Sequence, residues 1–319
     1  MDERAAAWFA RRTSTARDWP VETCLDLKAR SGSRISVVVP ARNEAATIAD
    51  VVGTLRSELV HQAPLVDELV VIDSDSTDDT AAVARRAGAV IHAARDVVPE
   101  LGSHPGKGEA LWKSLFVTTG DVVVFVDADL THWGPHFVTG LVGPLLADPA
   151  VLLVKGFYDR VLSSSGGPPS TEGGRVTELV ARPLLSLWWP HLAAVVQPLA
   201  GEWALRRALA VELPFPAGYG VELATLIDTA DRHGLDAVAQ VDLGSRAHLH
   251  QAVHDLAVMA GELLAVADAR SPSPRGLDAE PTLHQYVRDE GGGRWRSRPV
   301  PVVERPPAGS LARQAGTAC

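Results

Sequence analysis

Short runs of β-branched residues alternate with longer amphipathic segments in the first half of the chain: ISVVVP (35–40), AATIADVVGTLRSELV (45–60), ELVVID (68–73) and TAAVARRAG (80–88). That alternation predicts βαβ units and a parallel sheet. AVIHAA (89–94) and VVVFVDAD (122–129) read as a third and a fourth strand, joined through the loop PELGSHPGKG and a helix EALWKSLFVTTG, and AVLLVKGFY (150–158) continues the sheet. The first, second and fourth strands are apolar on both faces, as strands covered by helices on two sides must be. The expected fold is therefore α/β, a doubly wound, Rossmann-like sheet. After a Gly/Ser/Pro loop at 163–174, helices are expected from about Arg175 to about Arg270, with a strand ending near Leu243. From SPSPRG onward the chain reads as an extended arm with little core of its own.

Ligands of doubly wound sheets bind at the carboxyl ends of the strands. The unusual polar residues collect at those ends: PARNE after the first strand, DSDSTDDT after the second, and DAD closing the fourth. In DAD, Asp127 and Asp129 bring two carboxylates within a few ångströms, a repulsion that a divalent cation relieves. An isolated Asp-x-Asp also serves as a solvated loop or a helix cap. DSDSTDDT supplies an N-cap at Ser76 or Thr77, with Asp78 and Asp79 suited to the first helical turn and Asp73 and Ser74 held toward the site. PGKGEALW offers Lys107 to a phosphate or a sugar but lacks the Walker spacing. At GGRVT, Gly174, Arg175 and Thr177 open a helix with free N–H groups, a guanidinium and a hydroxyl, the makings of an anion site or of a hinge with a capping threonine. GYGVE places Glu222 in a first helical turn, where dipole stabilisation alone could explain it. RAHLH carries His248 and His250.

Composition narrows the partners. A formal charge of −9 with no basic cluster outside the tail argues against nucleic-acid binding. Two cysteines, Cys24 and Cys319, form neither a disulfide framework nor a metal-ligand pattern, which fits a reducing compartment. The opening MDERAAAWFARRTS has no continuous apolar stretch of the secretory kind, so a cytoplasmic protein is expected. The most apolar stretch, 184–205, is interrupted by Pro190, His191, Gln197 and Pro198, whereas a membrane span needs roughly 20 nearly unbroken apolar residues.

Taken in order, PARNE, DSDSTDDT, GKGEALW, DAD, GGRVTELVARPLL, QPLAGE, GYGVE and RAH closely resemble the glucosyl-3-phosphoglycerate synthases of actinobacteria, which are retaining glycosyltransferases of the GT-A fold. The similarity runs from about Ile35 to His248 and reaches faintly into VVERPP. The resemblance implies a nucleotide-sugar region at 35–160, a helical acceptor-side region at 161–270, an N-terminal arm at 1–34 and an extended tail at 271–319. It implies that Pro40, Ala41, Asn43, Glu44 and Ser74 hold the base and ribose, and that Lys107 and Asp127 touch the donor. It further implies Asp129 and His248 as ligands of Mg²⁺ or Mn²⁺, Tyr219 and Glu222 as sugar-binding, and a Leu199 backbone carbonyl facing the anomeric carbon. Gly174, Arg175 and Thr177 match the acceptor phosphate site, and a homodimer is implied. The expected reaction moves a sugar from UDP-glucose or a GDP-sugar to a small anionic acceptor, 3-phosphoglycerate by resemblance. In one departure, the synthases usually carry Arg-Asn-Arg-Pro after RAH, whereas this chain reads LHQA. That keeps a second reading open, O- or S-glycosyl transfer to another small polar acceptor contacted by His250. A sugar-1-phosphate nucleotidyltransferase and a non-catalytic binding module are the readings from other classes.

Overall fold

The β-branched runs pair as their pattern predicts. The computed structural model describes residues 3–162, 174–248, 253–271, 282–289, 292–299 and 303–315. One sheet contains β1 (Thr13–Thr15), β2 (Ile35–Ala41), β3 (Glu68–Asp73), β4 (Val90–Ala93), β5 (Val122–Phe125), β6 (Leu153–Leu162) and β7 (Trp203–Arg206), and a later strand joins it. β8 (Phe215–Pro216) lies outside it, while β9 (Val238–His248) completes it in the order β1-β9-β6-β7-β5-β2-β3-β4. Helices α1 (Glu3–Arg12), α2 (Val21–Ser31), α3 (Ile48–Leu55), α4 (Thr80–Ala87), α5 (Lys107–Ser114), α6 (His136–Ala147), α7 (Arg182–Trp188), α8 (Arg207–Ala210), α9 (Val221–His233), α10 (Val253–Arg270) and α11 (Ala308–Ala315) complete the layers. Among the described residues, no helix is long and apolar enough to cross a membrane.

Alternation along each strand builds two cores. Ile35, Val37, Val39, Val122 and Val124 bury on one face with residues of α2, α3 and α6. Val38, Val70, Val123 and Phe125 bury on the other with Trp112 of α5 and Leu223 and Ile227 of α9. Within the sheet only β7 runs antiparallel, against both β5 and β6. The pairing of Phe125 with Trp203 brings the residues just before β7 to the same edge as the carboxyl ends of β2, β3 and β5.

The structure adds detail to these expectations. The segment at 1–34 contributes to the sheet: β1 pairs in parallel with β9, and fully buried Trp8 donates to Val238 O at 2.8 Å. The late strand does not stop near Leu243 but continues to His248, paired with β6 as far as Leu162. In the tail β10 (Thr282–Asp289) pairs with β11 (Gly292–Pro299), β12 (Glu304–Arg305) pairs with β8, and Arg305 and Ala308 are buried. Polar and Pro-rich composition hid these contacts, which are made mostly by backbone and by one arginine. The α4 cap also differs: the helix begins at Thr80, whose N–H is accepted by Asp78 Oδ1 at 3.0 Å.

Trp8 tests how firmly the N-terminal segment belongs to the fold. Trp8→Ala should lower unfolding stability by about 3–5 kcal/mol in urea titration, through lost packing and the orphaned carbonyl. Phe9→Ala on the half-exposed face of α1 should cost only about 0.5 kcal/mol or less. Equal losses in the two variants would detach α1 from the core.

Candidate active site

The carboxyl edge gathers charge. Asp127 and Asp129 follow β5, Glu202 precedes β7, Lys107 opens α5, Glu222 sits in the first turn of α9, and Arg246 lies on the extended part of β9. Lys107 Nζ is 2.6 Å from Asp127 Oδ1 and 2.9 Å from Glu222 Oε1. Arg246 reaches Asp127 Oδ2 at 3.1 Å, Asp129 Oδ1 at 2.7 Å and Glu202 Oε1 at 2.8 Å, and donates to the Tyr158 hydroxyl at 2.9 Å. One continuous chain of ion pairs thus runs from Glu222 to Asp129. A Cβ on Gly201 would sit 2.2 Å from Asp127 Oδ2 and 2.7 Å from Lys107 Nζ, so glycine lets the loop before β7 press onto this pair.

The electrostatics sort the carboxylates. Burial pushes Asp127 up, but Lys107 and Arg246 outweigh it and hold its carboxyl well below the usual range. Asp129 moves up, through burial and then the negative charge of Asp127. Glu202 is fully buried and also raised, burial outweighing Arg246, and its Oε2 has no hydrogen-bond partner. Burial opposes the charge of Lys107, yet Asp127 and then Glu222 keep it firmly protonated. Among the described residues Lys107, Arg246 and the buried Lys155, whose ammonium burial lowers to about 7, face these carboxylates. Asp129, at the outer end of the cluster, is paired with Arg246 and keeps a side chain 38% exposed.

The loops after β2 and β3 form the adjoining wall. Ser74 donates its N–H to Ala41 O at 2.9 Å, beside Pro40 in the last turn of the strand. Asn43, at a φ of 59°, donates its N–H to Ser76 Oγ at 3.0 Å and accepts Thr77 N–H at 2.8 Å. Glu44 N–H reaches Thr80 Oγ1 at 2.8 Å, and its carboxyl is raised by burial and then by Asp129, which places the wall within electrostatic reach of the Asp pair. Asp73 Oδ1, buried at the foot of the wall, is an acceptor without a partner. A wall of backbone and side-chain polar groups next to a charged cluster suits a polar ligand better than an apolar one.

A third wall carries the remaining candidates. Lys155 donates to Ala200 O at 2.9 Å and stands 5.4 Å over the Trp203 ring, fixing the loop that contains Leu199. Gln197 Nε2 holds Tyr158 O at 2.5 Å from the same loop. Gly174, at a φ of 86°, accepts Glu178 N–H at 3.0 Å, and exposed Arg175 and buried Thr177 follow it at the start of the helical segment. Arg182 ties this segment to the Leu199 loop through Val196 O at 2.8 Å. Tyr219 is 44% exposed, and its N–H is accepted by Glu262 Oε2 at 2.6 Å. Ion pairs bring Lys107, Asp127, Glu222 and Asp129 into one cluster, while His250 and the His248 side chain lie outside the described residues.

Sequence reasoning assigned no role to Arg246, Glu202, Lys155, Tyr158 or Glu262. The available signal was charge inside apolar runs, as in VLLVKGFY and PLAGEWAL, since Lys and Glu are almost never fully buried unless paired. Among the described residues no group of three His, Cys, Asp or Glu side chains could hold a metal ion. An ion at Asp129 would find further ligands in substrate phosphate oxygens, the usual arrangement for Mg²⁺ bound between one or two carboxylates and substrate phosphates. The donor set fits such an ion.

Lys155 gives a pH signature. Its folded pKa near 7 lies below the unfolded value of 10.5, so between these limits the unfolded chain holds a proton that the folded chain lacks. This group therefore adds stability as pH rises from 7 toward 10.5. The melting-temperature difference, wild type minus Lys155→Met, should become more positive across that window. A difference independent of pH would contradict the reading.

The sequence profile of glycosyl transferase family 2 matches residues 36–192. Glucosyl-3-phosphoglycerate synthase of Mycobacterium tuberculosis strain H37Rv is 48% identical over 285 residues, spanning 88% of this chain and 86% of its own. A crystal structure of the M. tuberculosis synthase with Mn²⁺, UDP-glucose and phosphoglyceric acid superposes with a TM-score of 0.83 at 45% identity, covering 94% of this chain and 98% of that one. Another, with Mg²⁺ and UDP, superposes equally well at a TM-score of 0.83 and 45% identity, covering 94% and 99%. With identity and fold shared over nearly the whole of both chains, the protein is a glycosyltransferase and belongs to the glucosyl-3-phosphoglycerate synthase family.

Proposed function

We propose that this protein transfers glucose from UDP-glucose to 3-phosphoglycerate with retention at the anomeric carbon, in the presence of Mg²⁺ or Mn²⁺. The observation that carries the reading is the ion-pair chain Glu222–Lys107–Asp127–Arg246–Asp129, which links the first turn of α9 to the partly exposed Asp129 at the tip of β5. The M. tuberculosis synthase binds the donor, the metal and the acceptor in the matching fold. Family membership sets aside the nucleotidyltransferase alternative.

The roles follow from position. Pro40, Ala41, Asn43, Glu44 and Ser74 form the base and ribose wall, and Lys107 and Asp127 contact the donor. Asp129, with His248, would hold the metal ion, whose chemistry there is to neutralise the departing diphosphate. Glu222 cannot readily act as a nucleophile, because Lys107 holds its carboxylate in an ion pair at 2.9 Å. It fixes sugar hydroxyls beside Tyr219 instead. The acceptor hydroxyl then attacks the face that the leaving group vacates, losing its proton to a leaving-group phosphate oxygen. The Leu199 loop, pinned by Lys155, lines that face. Gly174, Arg175 and Thr177 receive the acceptor's anionic group. The LHQA departure, which includes His250, lies at residues 249–252, outside the described residues. A cytoplasmic homodimer belongs to the same proposal: the dimer rests on the family resemblance, the compartment on the buried free thiol of Cys24.

Steady-state assays with UDP-glucose, 3-phosphoglycerate and Mn²⁺, following UDP release and the anomeric proton of the product, test the reading. Turnover should require 3-phosphoglycerate and give an α-linked product. Arg175→Ala should raise the acceptor KM roughly tenfold or more while leaving the donor KM within about twofold. UDP release independent of 3-phosphoglycerate, or an inverted product, would overturn the proposal.

A further inference from the structure

Two walls of the donor-sugar recess are separate in sequence and meet by backbone contact. The start of α5 carries Lys107, and the turn from Pro216 to Glu222 carries Tyr219 and Glu222. Gly108 N–H donates to Gly218 O at 3.2 Å and Glu109 N–H to Ala217 O at 2.8 Å. A Cβ on Gly106 would come within 2.4 Å of Ala217 O, and one on Gly108 within 1.8 Å of Pro216 O, so the approach is as close as a backbone permits.

The C-terminal segment spans this junction from behind. β12 pairs with β8, placing Arg305 opposite Phe215, and Ala217 N–H donates to Val303 O at 3.0 Å. Arg305 then turns inward to the other wall. Its guanidinium makes a bidentate pair with Glu109 at 2.8 Å on each arm, donates to Leu101 O at 2.9 Å and Gly102 O at 3.2 Å, and stacks 4.9 Å over the Trp112 ring. Trp112 Nε1 donates to Pro306 O at 2.9 Å. One short segment thus grips the loop leading into Lys107, the first turn of α5 and the strand leading into Tyr219.

We infer that residues 303–306 form a strap that sets the spacing between Lys107 and the Tyr219–Glu222 turn, with Arg305 as a positioning residue for the donor's sugar. The inference rests on the donor reading above. A planar, bidentate guanidinium held in a buried site has little freedom to adjust, so it transmits position where a lysine would not. Among the described residues Arg305 hydrogen-bonds to Glu109, Leu101 and Gly102 and not to the loops after β2 and β3, although α5 itself packs on those strands. Its loss should therefore be felt more by the sugar than by the nucleotide. Lys113 Nζ, 3.6 Å from Glu109 Oε1, keeps that carboxylate compensated when the arginine is removed.

The test is calorimetric affinity for UDP and for UDP-glucose, each with Mn²⁺, in wild type, Arg305→Met and Glu109→Gln. UDP-glucose binding should weaken about tenfold in Arg305→Met while UDP binding stays within about twofold, and Glu109→Gln should move the same ratio in the same direction. Equal weakening of both ligands, or an unchanged ratio in the variants, overturns the strap and leaves the donor reading standing. Failure of the wild type to bind UDP-glucose overturns the donor reading and the strap with it. Should Arg305→Met fail to fold, the ratio in Glu109→Gln decides.

Discussion

Arg246 is the group on which the site depends. Its buried guanidinium contacts Asp127, Asp129 and Glu202 within 3.1 Å, and one of these, Glu202, is wholly removed from water. Carboxylates this close repel, and burial raises the cost of each charge. Breaking a buried pair by removing one partner typically costs about 3–5 kcal/mol, because the other charge is left uncompensated. Arg246 and Lys107 together allow Asp127 to stay ionised between them.

The fold delivers these groups because one strand runs the wrong way. In a purely parallel sheet the carboxyl edge would receive only strand ends, here Ala41, Asp73 and Phe125. The antiparallel β7 brings a strand beginning to the same edge, and with it Glu202, Gly201 and the Leu199 loop. The extension of β9 beyond Leu243 supplies Arg246 from the other side. The loops after β2 and β3 and the groups around β7 and β9 are therefore built from opposite halves of one sheet, with the ion pairs of Asp127 between them.

Much of this was legible in the sequence. Strands β2, β3 and β5 announce themselves by unbroken apolar runs, and Asp127, Asp129 and Glu222 stand out because acids follow those runs or open a helix. What stayed hidden were groups whose meaning depends on distant partners. Arg246 is quoted within RAH, yet nothing local shows that it faces Glu202 from 44 residues earlier in the chain. Lys155 reads as one charge in a strand until its contact with Ala200 O is seen. Arg305 sits in a Pro-rich segment whose composition suggests no core, but its partner Glu109 is 196 residues away. Long-range ion pairs leave no periodicity to read.

The account turns on Asp129: paired with Arg246 and with a side chain 38% exposed, it would hold a divalent ion together with the diphosphate of the donor. The direct measurement is Mn²⁺ binding, followed by electron paramagnetic resonance, to wild type and Asp129→Asn with and without UDP. The account predicts that UDP strengthens Mn²⁺ binding to the wild type by about tenfold or more, and that Asp129→Asn abolishes this gain while UDP alone still binds. Mn²⁺ binding that is equally tight in Asp129→Asn, or indifferent to UDP in the wild type, would contradict it.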